Sequence, residues 1–220
     1  SSAASDVYKR QDKDNVLPKA AQLCDVYSYA RNTQSKLSDV LIKQLPEAME
    51  HKAQIAELMQ AYEARKQERH FLDYDDILAI VAVNLQNSSE LVQWVAKFCK
   101  VLLVDEMQDT NPLQWAILQP LIEHVSLFCV GDDAQSIYGF RGADFENIHH
   151  FKERIPEAEI LTLEENYRST QEILDLSNWL LADSPIHYDK QLKAHRGHGL
   201  KPQLHIFNNE FEEALSLIHI

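Results

Sequence analysis

Apolar side chains recur every three or four residues between Lys19 and Arg69. From Lys19 to about Gln44 they keep the i, i+3, i+4, i+7 spacing of an amphipathic helix. The same spacing returns after Pro46, in a strongly charged stretch that ends near Arg69. The sequence therefore predicts that the residues up to about 70 are helical. The positions that carry the pattern are Ala20, Leu23, Cys24 and Tyr27, followed by Ile55, Leu58, Met59 and Tyr62.

Two more helices are predicted before the first aliphatic run. Asp73 is suited to the N-cap of one helix, because its carboxylate can accept a hydrogen bond from a free backbone N–H of the first turn. The other helix begins at Ser89. Their apolar faces consist of Tyr74, Ile77, Leu78 and Val81 in the first, and of Leu91, Val92, Val95 and Phe98 in the second.

Short aliphatic runs follow and alternate with helices. Val101–Val104 is predicted to be a buried parallel strand, and Ser126–Val130 a second strand. Between them, Thr110 or Asn111 can cap a helix that has Pro112 at its first position, where a missing N–H costs nothing. The buried face of that helix consists of Leu113, Ala116, Ile117 and Leu121.

The last third of the chain predicts a similar alternation. Glu159–Leu163 is read as a third strand and Gln203–Phe207 as a weaker one. Ser169 and Glu172 have the spacing of a capping box for the helix that contains Ile173, Leu174 and Leu180. Strands that alternate with helices indicate an α/β fold with a parallel sheet, in which ligands bind beyond the carboxyl ends of the strands.

The composition limits the kind of protein and of partner. A chain of 220 residues, 45% of them hydrophobic, is long enough to bury a core. The net charge of −13 and a pI near 5.1 argue against a protein that holds nucleic acid by bulk positive charge, so any DNA contact must be local. Cys24, Cys99 and Cys129 lack metal-ligand spacing and are interpreted as reduced core thiols of a cytoplasmic protein.

No segment of the sequence is apolar enough to predict a membrane span. Aliphatic runs such as Val101–Val104 are far shorter than the roughly 20 residues that cross a bilayer. Residues Ser1–Arg10 lack the apolar centre of a signal peptide. We also consider the hypothesis that Ser1–Gln11 and Leu215–Ile220 are extraneous to the native gene.

Two adjacent carboxylates end the first predicted strand. Asp105 is suited to hold Mg²⁺, usually through water, and Glu106 to orient or deprotonate a water molecule that attacks a phosphate. A nucleoside triphosphatase needs this pair opposite its phosphate site. The alternative is that the two acids cap the following helix and stay solvated, since the N-terminal end of a helix favours acidic residues.

Two longer motifs change the balance between these alternatives. The stretch Val104–Asn111, VDEMQDTN, resembles the second motif of the UvrD/Rep branch of superfamily-one helicases, in which a Gln-Asp pair follows the catalytic acids. About 20 residues later, Val130–Ala143, VGDDAQSIYGFRGA, resembles the third motif of the same family. The chain departs from the family at Met107 and Phe140, where an aromatic residue and Trp are more usual, and at Ala134, where an acid is common.

The resemblance implies a fold and a division into domains. It implies a partial RecA-like P-loop NTPase motor domain, a parallel sheet with flanking helices, preceded by a helical subdomain. Residues 1–70 are then the end of an inserted helical subdomain, 71–160 the second half of the first motor domain and 161–220 the start of the second. No Gly-x-x-x-x-Gly-Lys-Ser/Thr run occurs, so we expect the phosphate-binding loop to lie outside an internal fragment that is truncated at both ends.

Further roles are implied for the loop after the second strand. Gln135 would sense the γ-phosphate, and Tyr138 or Phe140 would stack on a base of single-stranded DNA, a contact worth roughly 1–3 kcal/mol. Three of the five glycines, Gly131, Gly139 and Gly142, lie in this loop, which predicts unusual backbone geometry. The alternative is an ordinary surface loop with a packed aromatic pair.

A third motif supplies arginine. Leu163–Ser169, LEENYRS, is similar to the fourth motif of the family, where a Tyr-Arg-Ser run opens the second motor domain. Arg168 would clamp phosphate oxygens in the manner of an arginine finger. The alternative is a surface salt bridge with Glu164 or Glu165. For Arg141 two alternatives remain, a contact with the nucleotide and a salt bridge with Asp132 or Asp133.

Other segments give softer indications. Phe71–Leu78 resembles the acidic-aromatic stretch that follows the inserted subdomain of the family, which makes Tyr74 a candidate for contact with DNA, although a capped helix start explains the same residues equally well. The ten histidines form no metal-ligand pair and are interpreted as solvated surface groups. A basic cluster is interpreted as a flexible charged loop in preference to a contact with phosphate. Its members are Lys190, Lys193, His195, Arg196 and His198.

The sequence therefore leads to one principal functional expectation. The resemblance implies an ATP- and Mg²⁺-dependent DNA helicase that moves 3′ to 5′ on single-stranded DNA and unwinds 3′-tailed duplex DNA, together with unspecified repair or replication proteins. We expect the chain by itself to be inactive. The alternatives are a catalytically inactive DNA-binding or protein-docking module derived from a helicase, and the motor part of a helicase-nuclease.

Overall fold

The computed structural model describes residues 17–143, 146–184 and 190–217. These residues form two compact units, the first ending at Glu157 and the second beginning at Ala158. The described residues are mostly helical, and each unit contains one small parallel sheet. The arrangement is a partial α/β fold.

The first unit begins with helices that pack on one another. They are α1 (Ala20–Thr33), α2 (Leu37–Gln44), a 3-10 segment (Pro46–His51) and α3 (Lys52–Arg69). Their shared core consists of Val26, Tyr29, Val40, Leu41, Leu45, Ala48 and Ile55.

The prediction of one helix from Lys19 to Gln44 was wrong. Gln34 adopts a left-handed backbone conformation, with φ of 53°, and its N–H bonds to the carbonyl oxygens of Ala30 and Arg31. This conformation satisfies the last carbonyls of α1 and ends it, so that α2 can turn back onto the same core. Apolar periodicity did not reveal the turn because it continues on both sides of the break.

The next two helices begin at capped residues. In α4 (Tyr74–Asn87) the Asp73 carboxylate accepts from the Asp76 N–H at 2.8 Å, while Asp76 accepts from the Asp73 N–H at 3.0 Å. In α5 (Ser89–Phe98) the cap is Ser88, whose hydroxyl oxygen accepts from the Leu91 N–H. The predicted role of Asp73 is therefore confirmed.

A two-stranded parallel sheet follows. Strands β1 (Val101–Val104) and β2 (Ser126–Cys129) pair with Val101 opposite Ser126 and Val104 opposite Cys129. The connecting helix is α6 (Pro112–Leu118), with a 3-10 turn (Gln119–Leu121) after it. Its N-cap is Asn111 rather than Thr110, since the Asn111 side chain accepts from the Gln114 N–H.

One face of the sheet is covered by α5 and by the 3-10 turn Gln119–Leu121 that follows α6. Leu102 lies on that side, against the cluster of Leu85, Val92 and Leu121. The opposite face is open, with Leu103 72% exposed. The prediction that β1 is a buried strand was therefore wrong for one of its faces, because among the described residues helices pack against one side only.

The second unit contains β3 (Glu165–Asn166), α9 (Gln171–Asp183), β4 (Lys193–Ala194) and α10 (Glu210–Leu217); strands β3 and β4 are parallel. The short helices α7 (Glu146–His149) and α8 (Phe151–Arg154) belong to the first unit.

Three local predictions in the second unit were wrong. Glu159–Leu163 and Gln203–Phe207 are not strands, because neither has a strand beside it within the described ranges. The N-cap of α9 is Thr170 instead of Ser169, and Glu172 bonds to the Gly199 N–H instead of closing a capping box.

Exposure corrects two predictions about individual residue types. Cys24 is exposed, and Cys99 and Cys129 are half-buried, so none of these free thiols lies fully in the core. His51 is buried at 9% exposure and is therefore not a solvated histidine. In the part of the chain that the structure describes, no helix is long and apolar enough to span a membrane.

Candidate functional site

The acidic pair lies at the carboxyl end of β1, and both residues are exposed. Glu106 has a left-handed backbone, with φ of 50°, and donates its N–H to the Asp105 Oδ1 at 2.9 Å. A 3-10 turn, Met107–Asp109, follows, and the Met107 N–H bonds to the Val130 carbonyl oxygen at 2.9 Å. The end of β1 is therefore tied to the end of β2, and neither carboxylate caps α6.

Gln108 connects the two strand ends through its side chain. The side chain is 1% exposed. Its Nε2 donates to the Glu106 Oε2 at 2.6 Å, and its Oε1 accepts from the Asp132 N–H at 3.0 Å. Asp132 in turn accepts from the Gln135 Nε2 at 2.6 Å. A continuous series of hydrogen bonds thus joins Glu106 to Gln135.

Two of the three loop glycines have a structural reason. A Cβ on Gly131 would lie 2.7 Å from the Gln108 Oε1, so a larger residue would displace the amide. Gly142 has a φ of 85°, and a Cβ there would lie 2.7 Å from the Thr33 Cγ2 of α1. Gly139 has no such constraint, since nothing lies within 4 Å of an added Cβ. The expectation of unusual backbone geometry is confirmed at Gly142.

The candidate DNA-binding aromatics are at the surface of the first unit. The rings of Tyr138 and Phe140 lie 5.8 Å apart between centroids, and Phe140 is 67% exposed. Tyr74, the first residue of α4, is 88% exposed. These rings present faces on which a base could stack.

The end of α1 contacts the segments that carry these aromatics. Asn32 donates to the Asp75 Oδ1 at 2.9 Å, next to Tyr74, and accepts from the Asn111 Nδ2 at 3.0 Å. Thr33 packs against Gly142, which follows the 3-10 turn Gly139–Arg141. The helix end thus joins the start of α4, the cap of α6 and the aromatic loop. For Arg141 the structure describes the backbone only.

Asp109 has a buried carboxylate oxygen, its Oδ1, that lacks a hydrogen-bond partner among the described residues. Burial raises the pKa of Asp109, and the nearby Glu106 carboxylate raises it further. A carboxyl oxygen that is buried and unpaired suggests a site completed by a further group, since such atoms are normally hydrogen-bonded.

The donor set at the end of β1 fits Mg²⁺ in a limited sense. Asp105 offers a solvent-accessible carboxylate, the kind of oxygen ligand that Mg²⁺ prefers. Within the described ranges no group of three or more His, Cys, Asp or Glu side chains could enclose a metal. A Mg²⁺ ion here would therefore depend on water and phosphate oxygens, which is its usual mode beside nucleotides.

Arg168 lies in the second unit, with an exposed side chain. Asn166 accepts from the Arg168 and Ser169 N–H groups at 3.0 and 2.7 Å, and Arg196 donates to the Arg168 carbonyl oxygen at 2.9 Å. The side chain forms no ion pair within the described ranges, so the alternative of a salt bridge to Glu164 or Glu165 is not supported.

The segment that begins with β4 is held by hydrogen bonds to β3 and to the start of α9. His195 lies 2.9 Å from Glu165, and the Gly197 carbonyl oxygen accepts from the Gln171 N–H at 2.9 Å. The Gly199 N–H donates to Glu172 at 2.7 Å. The interpretation of the basic cluster as a flexible loop was therefore wrong for residues 193–199, which we call the strap.

Glu172→Gln is expected to loosen the strap. Hydrogen bonds from the Gly199 N–H and its own N–H lower the pKa of Glu172 to about 2, from an ordinary 4.5, with a further contribution from His198. The stabilisation is therefore present above pH 4.5 and is lost as the pH falls toward 2. At pH 7 the variant should speed hydrogen exchange of peptides from residues 193–199. Glu210→Gln, on the exposed start of α10, should not. Unchanged exchange in Glu172→Gln would remove Glu172 from the account of the strap.

Comparison with known proteins decides the family. The family model for the UvrD/REP helicase N-terminal domain matches residues 2–156, which is more than half of the chain. The chain belongs to the UvrD/Rep helicase family.

Individual helicases of the UvrD/Rep family show the same relationship. The chain is 36% identical to the ATP-dependent DNA helicase Rep of Salmonella typhimurium over 154 residues, which cover 70% of the chain and 23% of the relative. It is 34% identical to UvrD1 of Mycobacterium tuberculosis over 168 residues (73% and 22%) and 35% identical to PcrA of Leuconostoc citreum over 161 residues (73% and 22%). The chain thus spans less than a quarter of the length of these helicases.

The structure of this UvrD/Rep family member brings some predicted residues together. Asp105, Glu106 and Gln135 lie at one edge of the β1–β2 sheet, while Arg168 belongs to the other unit. Sequence reasoning assigned no role to Gln108, although it stands inside the second motif. The signal in the sequence was the Gln108 amide, which closely follows the acids Asp105 and Glu106. Its role depends on the pairing of β1 and β2, which brings Gln108 next to Gly131.

Proposed function

We propose that the protein to which this chain belongs is an ATP-dependent DNA helicase. ATP hydrolysis would drive movement along single-stranded DNA in the 3′ to 5′ direction and displace the complementary strand. The observation that carries the proposal is the series of hydrogen bonds from Glu106 through Gln108 and Asp132 to Gln135. It connects a water-activating carboxylate to the loop that bears the exposed aromatics.

Each candidate residue has a proposed role on the nucleotide side. Glu106 orients or deprotonates the attacking water, and Asp105 holds Mg²⁺ through water. Gln135 contacts the γ-phosphate, while Arg141 and Arg168 contact phosphate oxygens. When bound, Mg²⁺ supplies positive charge against the phosphate oxygens. The RecA-like character of the motor and the three domain assignments are part of the same proposal.

The DNA side consists of Tyr138, Phe140 and Tyr74. Exposed rings suit single-stranded DNA because stacking tolerates any base, and the acidic net charge of the chain makes local contacts more important than bulk charge. We extend the proposed substrate to 3′-tailed duplex DNA and the proposed partners to repair or replication proteins. A cytoplasmic location is likewise a proposal.

The test is ATP hydrolysis by the full-length protein with and without single-stranded DNA. We expect single-stranded DNA to stimulate turnover, and Phe140→Ala to weaken DNA binding by roughly 1–3 kcal/mol because a stacking face is lost. Tyr138→Ala should act in the same direction. Fluorescence anisotropy with a labelled oligonucleotide measures the affinity, and steady-state assays measure the stimulation.

Phe140→Trp is the matched control, because it keeps an aromatic face at the same position and should retain DNA binding. ATP hydrolysis that does not respond to DNA would contradict the proposed helicase function. A folded protein that does not hydrolyse ATP would favour the alternative of an inactive binding module. A nuclease activity in the same full-length protein would identify the helicase-nuclease alternative. Unwinding of a 3′-tailed but not a 5′-tailed duplex tests the direction.

A further inference from the structure

The position of Gln108 is more constrained than its exposure alone suggests. Its amide has one donor direction and one acceptor direction in use, toward the Glu106 carboxylate and the Asp132 N–H. The backbone donor at Asp132 requires the amide oxygen on that side, which places the NH₂ group against the carboxylate. The orientation of the side chain is therefore fixed by both of its neighbours.

The loop after β2 is attached to Gln108 at a second point. The Ser136 Oγ donates to the main-chain carbonyl oxygen of Gln108 at 3.3 Å. Gln135, between these two attachments in the sequence, bonds to Asp132. A displacement of residues 132–136 would therefore move the amide of Gln108, and with it the hydrogen bond to Glu106.

Close packing leaves little freedom to absorb such a displacement. Gly131 precedes the attachment, and even a methyl group there would approach the Gln108 Oε1 to 2.7 Å. Met107, whose Cβ would lie 3.3 Å from the same methyl group, is 2% exposed. Because closely packed side chains have few alternative positions, a displacement of the loop would be expected to move the Gln108 side chain.

We propose that Gln108 is a positioning residue. It transmits the position of residues 132–136, in the loop that bears Tyr138 and Phe140, to the Glu106 carboxylate. The inference rests on the proposed function and names the side chain through which single-stranded DNA would stimulate hydrolysis. DNA bound at Tyr138 and Phe140 would set the position of residues 132–136. The Gln108 amide would then hold the Glu106 carboxylate in the orientation for water activation.

The experiment compares Gln108→Met with the wild type in the full-length protein. We expect DNA-stimulated kcat to fall about 10-fold, the lower end of the effect of removing a residue that orients a ligand or catalytic group. Turnover without DNA should fall less, so that the ratio of the two rates decreases. The KM for ATP and the affinity for a labelled oligonucleotide should remain unchanged, and the thermal midpoint should fall only by the amount that two lost hydrogen bonds account for. Gln93→Met, at an exposed position of α5, is the matched control.

Gln108→Leu provides a second variant of similar size. It removes the amide donor to Glu106 without adding a charge beside that carboxylate, and it should lose the stimulation in the same way. Retention of the wild-type ratio in either folded variant would overturn the proposal. Equal loss with and without DNA, or loss of nucleotide binding and thermal stability together with turnover, would also overturn it. A wild-type protein that DNA does not stimulate would refute the proposed function itself, a result recognisable before any variant is made.

Discussion

Glu106→Gln in the full-length protein is expected to lower kcat for ATP hydrolysis by roughly 10²–10⁴, the usual contribution of a general base. Glu106 is exposed, and its side-chain oxygen accepts one hydrogen bond from Gln108. The glutamine oxygen can accept that bond, so the fold should persist while the basic group is lost. Steady-state hydrolysis with saturating single-stranded DNA measures kcat.

Nucleotide binding separates this explanation from a structural one. Binding of a fluorescent ATP analogue should be retained in Glu106→Gln, because the carboxylate acts on water and not on the nucleotide. Glu123→Gln is the control for loss of one negative charge, since Glu123 is exposed in the turn before β2. Equal loss of ATP affinity and turnover would assign Glu106 to binding, and full activity would exclude it from catalysis.

Local sequence signals predicted the parts of the fold that depend on neighbouring residues. The Asp73 cap and the parallel β1–β2 pair followed from spacing and from strand alternation. The left-handed turn at Gln34 could not be predicted, because Gln carries no preference that marks it. Exposure of β1 depends on what packs on the sheet, and a short apolar run has the same composition whether it is covered on one face or on two.

The candidate site divides in the same way. Asp105, Glu106 and Gln135 could be nominated because their motifs are contiguous in sequence. The bond from Gln108 to Asp132 joins residues 24 apart, and it exists only because β1 and β2 pair in parallel with Val104 opposite Cys129. Glu172 illustrates the opposite error: its spacing from Ser169 suggested a local cap, but a more distant amide at Gly199 competes for the carboxylate.

A buried ionic cluster in the first unit was not anticipated from the sequence. Its centre is Lys66 of α3, with an 8% exposed side chain, whose Nζ lies 2.7 Å from carboxylate oxygens of both Asp73 and Asp76. The Nζ also donates to the Tyr27 hydroxyl at 2.9 Å. Arg31 of α1 pairs with Asp76 at 3.0 Å and with Glu63. The cluster therefore joins α1, α3 and the start of α4, where Tyr74 is exposed.

The charges in this cluster stabilise one another. Burial alone would lower the pKa of Lys66, but hydrogen bonds to Asp73, Asp76 and Tyr27 outweigh it and raise the pKa. Burial alone would raise the pKa of Asp73, and the hydrogen bond from Lys66 reverses the direction. The contribution of Asp73 is present above pH 3.8 and that of Lys66 below pH 10.5, so both are complete at pH 7.

Lys66→Met is therefore expected to destabilise the contact of α1, α3 and α4 by about 3 kcal/mol, the lower end of the cost of breaking a buried ion pair. The lower end applies because Arg31 continues to neutralise Asp76. Hydrogen exchange of the full-length protein at pH 7 should be faster in peptides from these helices, because local opening there becomes more favourable.

Lys52→Met on the same helix separates loss of the ion pair from loss of a lysine. Lys52 is exposed at the start of α3, and its replacement should leave exchange as in the wild type. Faster exchange throughout the first unit in Lys66→Met would show that the cluster supports the whole unit and not the three helices alone. Exchange unchanged by Lys66→Met would mean that the desolvation of Lys66 already cancels its attraction to Asp73 and Asp76, which is the known limit for buried ion pairs.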